Sequence, residues 1–344
     1  MYKYIYWYKF VSPDQDYKPV ILLTGCNSGI GLAAAKLLAE QKQYRVIITA
    51  RDKHMDHLKA EFNEDERLWV LPLDIINEES RLNLVNTIFK RWGRVDIFVN
   101  NSDICHRASL EDTPDSDDLL HMQKNYLGPI SLIRKLLPKM RENGKGKIIN
   151  VSSVSGMLAF PLLASYSASK FAIEGALESL WYETRPFGVD VALVQPGFIK
   201  SVSHQKMKLS PQALDSNHTE TYYSDMYHNM IPFFEKMMDF GLSKPDSIAE
   251  LIYNVIRTEQ PPLWVPASFD AEIFYYLKRW LPRRLVLPFF YWILPNSESW
   301  GKKFSRKHQR SWIKRTTRNI LRFIGRKMHQ NYKSHTSSPS HNHE

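Results

Sequence analysis

Residues 18–31 read KPVILLTGCNSGIG, a short apolar run that passes directly into a glycine-rich turn. An unbroken apolar run is typical of a strand buried on both faces, and the segment GLAAAKLLAEQK that follows has helical length. Glycines let the chain turn tightly and bring its backbone close to a ligand, while the helix start offers unpaired N–H groups. The stretch therefore predicts a strand–turn–helix unit that binds a phosphate group, with a tight turn that holds no ligand as the alternative.

The same alternation of apolar runs and helical segments continues outward to about residue 266. The candidate strands are PVILLTG, YRVIITA, RLWVLPLD, RVDIFVN, GKIINVSS, VDVALVQPG and LWVPA. Strands separated by helices at this spacing favour a parallel sheet with helices on both faces. We therefore predict an α/β fold, a Rossmann-type doubly wound parallel sheet of about seven strands, with a basic and partly helical C-terminal extension. In such a fold the turn binds a dinucleotide pyrophosphate, here through Thr24, Gly25, Asn27, Ser28, Gly29, Ile30 and Gly31.

The composition is that of a folded globular protein, with 43% hydrophobic and 24% charged residues. Its two cysteines, Cys26 and Cys105, have neither the spacing of zinc ligands nor that of a disulfide framework. The N-terminal segment lacks the features of a signal peptide, and no apolar run reaches the length of about 18 residues that a membrane-spanning helix needs. These features predict a cytoplasmic protein without a metal site.

The net charge of +10 belongs to the end of the chain, because residues 301–344 contain twelve Lys or Arg residues and one acidic residue. Within residues 313–326, aliphatic side chains fall on one side of a helical wheel and basic side chains on the other. Such a helix favours peripheral contact with anionic lipid, and nucleic-acid contact or a helix docked on the domain are the alternatives. We predict an N-terminal extension (1–17), a Rossmann-fold domain (18–270), an aromatic and basic extension (271–328) and a disordered tail (329–344).

The second predicted strand ends at Thr49-Ala50-Arg51, which bears on the choice of dinucleotide. Units that bind NAD usually carry an acidic residue here for the ribose 2′-hydroxyl. Ala50 stands in that place, and the guanidinium of Arg51 can bind a 2′-phosphate through a charge-assisted fork. We therefore predict NADP(H) in preference to NAD(H), although Asp52 beside Arg51 blunts the preference. A solvated surface arginine is the alternative role for Arg51.

A candidate proton-transfer pair lies in SYSASK, residues 165–170. Tyr166 and Lys170 are four positions apart, which places them on one face of a helix. A free tyrosine ionises near pH 10, and a neighbouring ammonium group favours the phenolate, so that Tyr166 can act as a general acid or base near neutral pH. Ser153 ends the predicted strand IINVSS, where its hydroxyl can hold a substrate oxygen against Tyr166. Ser152 competes for this role, but the alignment with Tyr166 favours Ser153.

Together these motifs resemble the short-chain dehydrogenase/reductase family over about residues 18–266. The shared motifs are TGxxxGxG, the Asn pair after the fourth strand, Asn-x-x-Gly on the next helix, the serine, YxxxK and the later Pro-Gly, in the family's order. The resemblance implies an enzyme that interconverts a carbonyl and an alcohol by hydride transfer with a nicotinamide cofactor. It implies the catalytic residues Ser153, Tyr166, Lys170 and Asn125. It also implies cofactor contacts at Asp74, Ile75, Asn101, Tyr166, Lys170, Pro196, Gly197, Ile199 and Ser201.

The resemblance further implies individual roles for these residues. Asn125 helps to hold a water in a proton relay that reaches Lys170, and Lys170 also binds the nicotinamide ribose. Asp74 contacts the adenine, Pro196-Gly197 covers the nicotinamide, and Ser201 stands where the family usually has a threonine for the carboxamide. A capping role for Asp74 and a hydrogen bond at a helix kink for Asn125 are the alternatives. The resemblance also allows a homo-oligomer built on helix faces.

One departure from the family concerns the loop after the fourth strand. The family usually has Asn-Asn-Ala-Gly there, whereas residues 100–103 of this chain read NNSD. Asp103 adds bulk and negative charge where the backbone runs close to the cofactor, and we expect weaker cofactor binding as a result. The alternative function is therefore a catalytically silent NADP-binding scaffold or redox sensor of the same fold. The intact Ser153, Tyr166 and Lys170 argue against that alternative.

Residues 221–240, TYYSDMYHNMIPFFEKMMDF, follow the Pro-Gly turn and are dense in Met, Tyr and Phe. Such side chains form a large and adaptable apolar surface. This composition favours a lipophilic substrate, such as a steroid, a retinoid or a long-chain lipid. Packing of helices on the core or on a partner subunit is the alternative.

Overall fold

The computed structural model describes residues 17–200, 208–209, 222–241 and 243–301. The strands are β1 (Val20–Leu23), β2 (Arg45–Ala50), β3 (Leu68–Pro72), β4 (Ile97–Asn100), β5 (His106–Arg107), β6 (Gly146–Val151), β7 (Val189–Gln195), β8 (Lys208–Leu209) and β9 (Trp264–Pro266). Seven of them form one parallel sheet in the order β3-β2-β1-β4-β6-β7-β9, and β5 pairs separately with β8. The chain leaves β1 toward β2 and β3 on one side and later returns to add β4 on the other, which opens a crevice at the carboxyl end of β1.

Ten helices are described in these ranges. They are α1 (Gly29–Glu40), α2 (Met55–Glu61), α3 (Glu78–Trp92), α4 (Asp115–Met122), α5 (Gly128–Glu142), α6 (Ala164–Thr184), α7 (Ser224–Asp239), α8 (Pro245–Arg257), α9 (Phe269–Trp280) and α10 (Arg283–Ile293). Successive residues of a strand point to opposite faces of the sheet. Accordingly Ile21 and Leu23 pack with apolar residues of α1 and α8, while Val20 and Leu22 pack with those of α3, α5 and α6. The predicted doubly wound sheet of seven strands is confirmed.

The first part of the C-terminal extension packs beside the carboxyl ends of the strands. Ser268 caps α9 by accepting a hydrogen bond from the amide of Ala271 at 3.4 Å, and Ala271 is buried. Phe274 of α9 and Phe290 of α10 pack against Phe160, with ring centroids 5.6 and 6.5 Å away. The extension therefore contributes a wall to the catalytic side of the domain rather than standing apart from it.

Several predictions fall on residues outside the described ranges. They include most of the predicted N-terminal extension (1–17) and the predicted disordered tail (329–344). The basic amphipathic helix predicted within residues 313–326 lies outside the described residues, as does Ser201. In the part of the chain that the structure describes, no helix is both long and apolar enough to cross a lipid bilayer.

Candidate active site

The glycine-rich turn between β1 and α1 is packed so closely that two of its positions require glycine. Gly25 has a φ of +72°, and a Cβ built there would lie 2.9 Å from the Cα of Ser102. A Cβ built on Gly31 would lie 2.1 Å from the carbonyl oxygen of Gly25. The turn can therefore follow this path only because neither position has a side chain. Its backbone is left uncovered toward the cleft.

Thr24 fastens the turn to the loop that follows β4. Its hydroxyl donates to Asn100 Oδ1 at 3.0 Å and accepts from the amides of Asn101 and Ser102 at 3.1 and 3.2 Å. Asn101 Nδ2 donates in return to the carbonyl oxygen of Gly25 at 3.1 Å. Thr24 is completely buried, so within this network its side chain joins two loops of the site.

A cleft of about 390 Å³ opens at the carboxyl ends of the strands. Its walls come from the residues that follow β1, β2, β4, β6 and β7, as expected for a ligand site in an open parallel sheet. The predicted site residues that line it are Gly25, Asn27, Ser28, Gly29, Ile30, Arg51, Asp74, Ile75, Asn101, Ser153, Tyr166, Pro196, Gly197 and Ile199. Thr24, Gly31, Asn125 and Lys170 are buried behind this lining.

One end of the cleft carries positive charge. Arg51 lines it together with Lys53 and Lys124, two residues that the sequence analysis did not single out. Burial, followed by the charges of Arg51 and Lys53, lowers the pKa of His54, which reports the same positive potential. The cleft lining does not include the carboxylate of Asp52. The cationic cluster is therefore suited to an anionic group.

Asp74 lies on the cleft wall between this end and the sheet. Its Oδ1 accepts a hydrogen bond from the amide of Ile76 at 3.1 Å, which holds the carboxylate in the turn after β3. The N-terminus of α3 is capped instead by Asn77, whose Oδ1 accepts from the amide of Ser80 at 2.8 Å. The capping role considered for Asp74 is thus taken by Asn77.

The candidate proton-transfer residues are Tyr166, which lines the same cleft, and Lys170, which is buried beside it. Tyr166 is in the first turn of α6, and its side chain is 9% exposed. The Nζ of Lys170 lies 5.5 Å from the centroid of the tyrosine ring and 3.3 Å from the carbonyl oxygen of Val151. Tyr166 and Lys170 therefore share one face of α6, and the end of β6 holds Lys170 from the other side.

The carboxylate of Asp103 reaches both members of this pair. Its Oδ2 accepts a hydrogen bond from the Tyr166 hydroxyl at 3.3 Å and lies 3.3 Å from the Nζ of Lys170. Burial, then the negative charge of Asp103, raises the pKa of Tyr166 well above its usual range, and a hydrogen bond with Ser153 opposes this increase. This direction is the opposite of that expected from Lys170 alone, because burial and then the carboxylate both favour the protonated phenol.

The two serines after β6 have different partners. Ser152 is buried, and its hydroxyl donates to Oε1 of Glu174 at 2.6 Å. Gln195 Nε2 donates to both carboxylate oxygens of Glu174 at 3.0 Å, while burial raises the pKa of this carboxyl. Ser153 instead faces the cleft, where its Oγ accepts from the amide of Ser155 at 3.1 Å. Both serines line the cleft, but the Ser152 hydroxyl is committed to Glu174.

Asn125 joins the Asp103 loop to α6. It is buried in a turn of π-helix, Gln123–Leu127, between α4 and α5. Its amide forms two hydrogen bonds with the backbone of Ile104, at 2.8 and 2.9 Å, and donates to Ser169 Oγ at 2.9 Å. Such π-helical turns often occur at functional sites. Here the turn presents the Asn125 side chain to both Ile104 and Ser169. Asn125 thereby fixes the backbone next to Asp103.

The Pro196-Gly197 turn is held by residues that the sequence analysis missed. The amide of Gly197 donates to Ser268 Oγ at 2.9 Å, and the amide of Phe198 donates to Asp270 Oδ2 at 2.7 Å. A Cβ at Gly197 would lie 2.0 Å from the same oxygen of Asp270. A polar pair at the start of α9 is a helix-capping signal, but its contact with a turn more than seventy residues away has no local sequence pattern.

The Met- and aromatic-rich segment forms an apolar wall beside Tyr166. Tyr227, Met230 and Phe234 of α7 are buried in one cluster with Leu163 and Tyr166. The hydroxyl of Tyr227 accepts from the amide of Ser109 at 2.8 Å, which anchors α7 to the loop after β5. The segment thus packs on the domain and at the same time borders the proton-transfer residues.

Comparison with known proteins identifies the family. Residues 19–212, more than half of the chain, match the family model described as short chain dehydrogenase. The chain therefore belongs to the short-chain dehydrogenase/reductase family, whose members are oxidoreductases that act on CH–OH groups. The family and the enzyme class predicted from the sequence are confirmed.

Individual relatives cover most of the chain. It is similar to a 3-ketodihydrosphingosine reductase of Bacteroides thetaiotaomicron, with 29% identity over 78% of this chain and 94% of that protein. It is also similar to retinol dehydrogenase 8 of Homo sapiens, with 32% identity over 71% of this chain and 79% of that protein. Among solved structures it is similar to ElxO with NADP bound, with 25% identity and a TM-score of 0.59 over 75% of this chain and all of that chain.

Proposed function

We propose that the protein is an NADP(H)-dependent oxidoreductase that interconverts a carbonyl and an alcohol on a lipophilic substrate. The observation that carries this proposal is that the glycine turn, a cationic cluster, Ser153 and Tyr166 line one cleft. A scaffold that only bound a nucleotide would not need a serine hydroxyl and a phenol in the lining of the same cleft.

The residues present fit a nicotinamide dinucleotide phosphate. The bare backbone of the glycine turn and the start of α1, where no acidic residue occurs in the first turn, suit the pyrophosphate. Arg51, Lys53 and Lys124 suit the 2′-phosphate, and Asp74 with Ile75 suits the adenosine. Tyr166, Lys170 and the turn at Gly197 suit the nicotinamide riboside. When bound, the cofactor supplies or accepts the hydride.

The chain's own residues then position the substrate and move the proton. Ser153 donates a hydrogen bond to the substrate oxygen and fixes it beside the Tyr166 hydroxyl. Tyr166 donates its proton to that oxygen during carbonyl reduction and removes the proton during alcohol oxidation. Lys170 stabilises the phenolate that remains after donation. The buried apolar wall of α7 excludes water from this point.

The same wall supports a lipophilic substrate. Tyr227, Met230 and Phe234 are buried in one cluster with Tyr166, and the partly buried Phe160 and Phe198 pack against that cluster. The names of the relatives are consistent with this proposal, since one is a retinol dehydrogenase and another a 3-ketodihydrosphingosine reductase. We therefore favour a retinoid, a steroid or a long-chain lipid over a small polar molecule.

A two-stage assay tests the proposed function. The purified full chain is first titrated with NADPH and with NADH, and we expect NADPH to bind more tightly. Turnover of NADPH is then followed with all-trans-retinal, a 17-ketosteroid, a 3-keto sphingoid base and a small sugar ketone. Activity on a lipophilic carbonyl supports the proposal, whereas turnover of the sugar alone contradicts the substrate class. Tight nucleotide binding without turnover of any carbonyl would instead favour the silent scaffold.

We also propose that the C-terminal extension contacts a membrane surface. In α9 and α10 the side chains of Trp280, Leu287 and Trp292 are 83%, 67% and 72% exposed. Exposed tryptophans beside basic residues such as Arg279 and Arg284 are typical of segments that lie in the lipid headgroup region. These helices also supply Phe274 and Phe290 to the wall near the substrate region, so that a lipid-dissolved substrate has a short path to the site.

Vesicle sedimentation tests this membrane contact. We expect the full chain to bind vesicles that contain phosphatidylserine, and Trp280→Glu with Trp292→Glu to weaken the binding about tenfold or more, because each tryptophan contributes apolar burial. Tyr182→Glu is the matched control, since Tyr182 is an exposed aromatic residue on another helix. Equal sedimentation of the double variant and the wild type would contradict the proposal.

A further inference from the structure

The unusual residue in the site is Asp103, which stands where the family usually has glycine. A single carboxylate oxygen, Oδ2, lies 3.3 Å from the hydroxyl of Tyr166 and 3.3 Å from the ammonium of Lys170. Lys170 is almost fully buried, with a side-chain exposure of 3%, whereas the carboxylate is 37% exposed toward the cleft. Asp103 therefore connects solvent, the phenol and the ammonium at one point.

Hydrogen bonds made by the neighbouring residues fix the position of Asp103 in its loop. The preceding Asn101 and Ser102 are tied to Thr24, and the following Ile104 makes two backbone hydrogen bonds with Asn125. Both sides of the residue are therefore fastened to the domain. The carboxylate is presented to Tyr166 and Lys170 by the fold itself.

None of the following ionisable groups around Tyr166 adds a second negative charge to that of Asp103. They are Cys105 and Arg107 from the loop and β5, His121 from α4, Lys170 from α6 and Tyr227 from α7. Burial raises the pKa of Cys105 to about 11 and that of Tyr227 to about 12, so both are uncharged near neutral pH. Arg107 is a cation, and its guanidinium carbon lies 5.4 Å from the centroid of the Phe234 ring.

His121, whose ring centroid lies 6.4 Å from that of Tyr166, is also uncharged. Its Nε2 accepts a hydrogen bond from the amide of His106 at 3.0 Å, so the proton is on Nδ1, 2.7 Å from the carbonyl oxygen of Asp117. Burial lowers the pKa of His121, which agrees with this neutral form. Glu174 is within electrostatic reach of Lys170, but its carboxylate is hydrogen-bonded to Ser152 and Gln195. The carboxylate of Asp103, by contrast, contacts both Tyr166 and Lys170.

We propose that Asp103 is a third ionisable member of the Tyr166–Lys170 pair, which keeps the phenol protonated and competes with the dinucleotide for the Lys170 ammonium. Two consequences follow from its contacts. The phenol is a proton donor in its resting state, which suits carbonyl reduction, and alcohol oxidation requires a higher pH because it needs the phenolate. Binding of the nicotinamide ribose to Lys170 must also replace an existing ion pair. The second consequence rests on the proposed function, whereas the first does not.

The first consequence can be measured without nucleotide or substrate. Tyrosinate absorption is titrated in the near ultraviolet for the wild type, Asp103→Asn and Asp103→Ala, each referenced to the same protein with Tyr166→Phe. At a fixed pH below the midpoint, we expect the ionised fraction of Tyr166 to rise about tenfold or more in Asp103→Ala, the ratio expected for loss of a hydrogen bond to a charged group. Asp103→Asn, which removes the charge but keeps an oxygen acceptor, is expected to lie between the two.

The control is Asp115→Asn, which removes one charge from an exposed position on α4 that lines no part of the cleft. Circular dichroism over the same pH range verifies that each variant is folded. Superimposable Tyr166 titrations of Asp103→Ala and the wild type would overturn the proposal. A failure of the wild type to bind NADPH would remove the proposed function and leave this titration unchanged.

The competition for Lys170 is tested by a double-mutant cycle on nucleotide affinity. NADPH binding is followed by quenching of tryptophan fluorescence in the wild type, Asp103→Asn, Lys170→Met and the double variant. We expect Asp103→Asn to tighten binding severalfold with Lys170 present and to have little effect with Met at that position. The same gain in both backgrounds would show that the carboxylate acts on the nucleotide by charge alone, which overturns the competition.

Discussion

Replacing Tyr166 with Phe is expected to lower kcat/KM for carbonyl reduction about 10²- to 10⁴-fold, the range that general acid–base catalysis supplies. The substitution removes one oxygen and leaves a ring of the same shape in the buried cluster with Leu163, Tyr227 and Phe234. We therefore expect the fold and the NADPH affinity to persist. The measurement is the initial rate of NADPH oxidation with the best substrate of the carbonyl panel, beside a binding titration of the same preparation.

Tyr182→Phe provides the control for this experiment. Tyr182 lies on the same helix, α6, but is 66% exposed, so loss of its hydroxyl is expected to leave the rate unchanged. A Tyr166→Phe variant that binds NADPH and retains the wild-type rate would contradict the assignment of Tyr166 as the proton donor. It would also require another donor within the cleft, for which Ser153 is the nearest candidate by position.

The pH dependence of the two directions follows from the state of Tyr166. Burial and Asp103 raise its pKa, so the phenol persists to higher pH than in a site with Lys170 alone. Carbonyl reduction, which uses the phenol, is expected to lose rate only as the pH rises through this raised pKa. Alcohol oxidation, which uses the phenolate, is expected to gain rate over the same range. A positive charge on the bound oxidised cofactor would favour the phenolate and so lower the pH at which this gain begins.

The fold, the glycine-rich turn and the Tyr166–Lys170 pair could be predicted from local sequence. The apolar run before Thr24 and the glycines after it specify a buried strand and a tight turn, and each later strand has the same signature. Tyr166 and Lys170 are four residues apart, so helical geometry alone predicted that they share a face. These features depend on contacts between residues close in the chain, for which residue type and spacing are sufficient.

The remaining features depend on contacts between distant segments. The sequence marked Asp103 as unusual, but it showed neither the burial of Tyr166 nor its contact with Asp103, 63 positions away. Burial and this contact give the Tyr166 pKa the direction opposite to that expected. The hold of Asp270 on the Pro196-Gly197 turn spans more than seventy positions. Such contacts depend on which loops the sheet brings together at the carboxyl ends of its strands. The periodicity of the sequence does not predict them.

Lys53 and Lys124 were missed for the same reason. Lys53 follows Arg51 in a short helical turn after β2, whereas Lys124 comes from the π-turn before α5. Only the sheet order, which places these segments around one cleft, brings the three cations into the same lining. The one arginine that the sequence singled out is therefore part of a cluster of basic residues in the structure.

That cluster leads to the second large effect, on the choice between NADPH and NADH. Arg51→Ala combined with Lys53→Ala is expected to weaken NADPH binding about 10- to 100-fold, the equivalent of one hydrogen bond to a charged group at about 1.5–3 kcal/mol. Both side chains are exposed, and solvent screening keeps their joint contribution below the sum of two such bonds. NADH lacks the 2′-phosphate, so its affinity is expected to change little. The two dissociation constants are measured by fluorescence titration at low and at physiological ionic strength, since salt screens such exposed charges.

Lys59→Ala is the control for loss of a nearby positive charge, because Lys59 is an exposed lysine on α2 that does not line the cleft. It removes one of the two charges that the double variant removes, so it is compared with each single variant as well. Equal weakening of NADPH and NADH in the double variant would mean that these cations act on the shared pyrophosphate rather than on the 2′-phosphate. Unchanged NADPH affinity would place the determinant elsewhere, with Lys124 and Arg107 as further cations of the lining. Selective loss of NADPH would instead identify the segment after β2 as the site of discrimination, which the absence of an acidic residue at position 50 already favours.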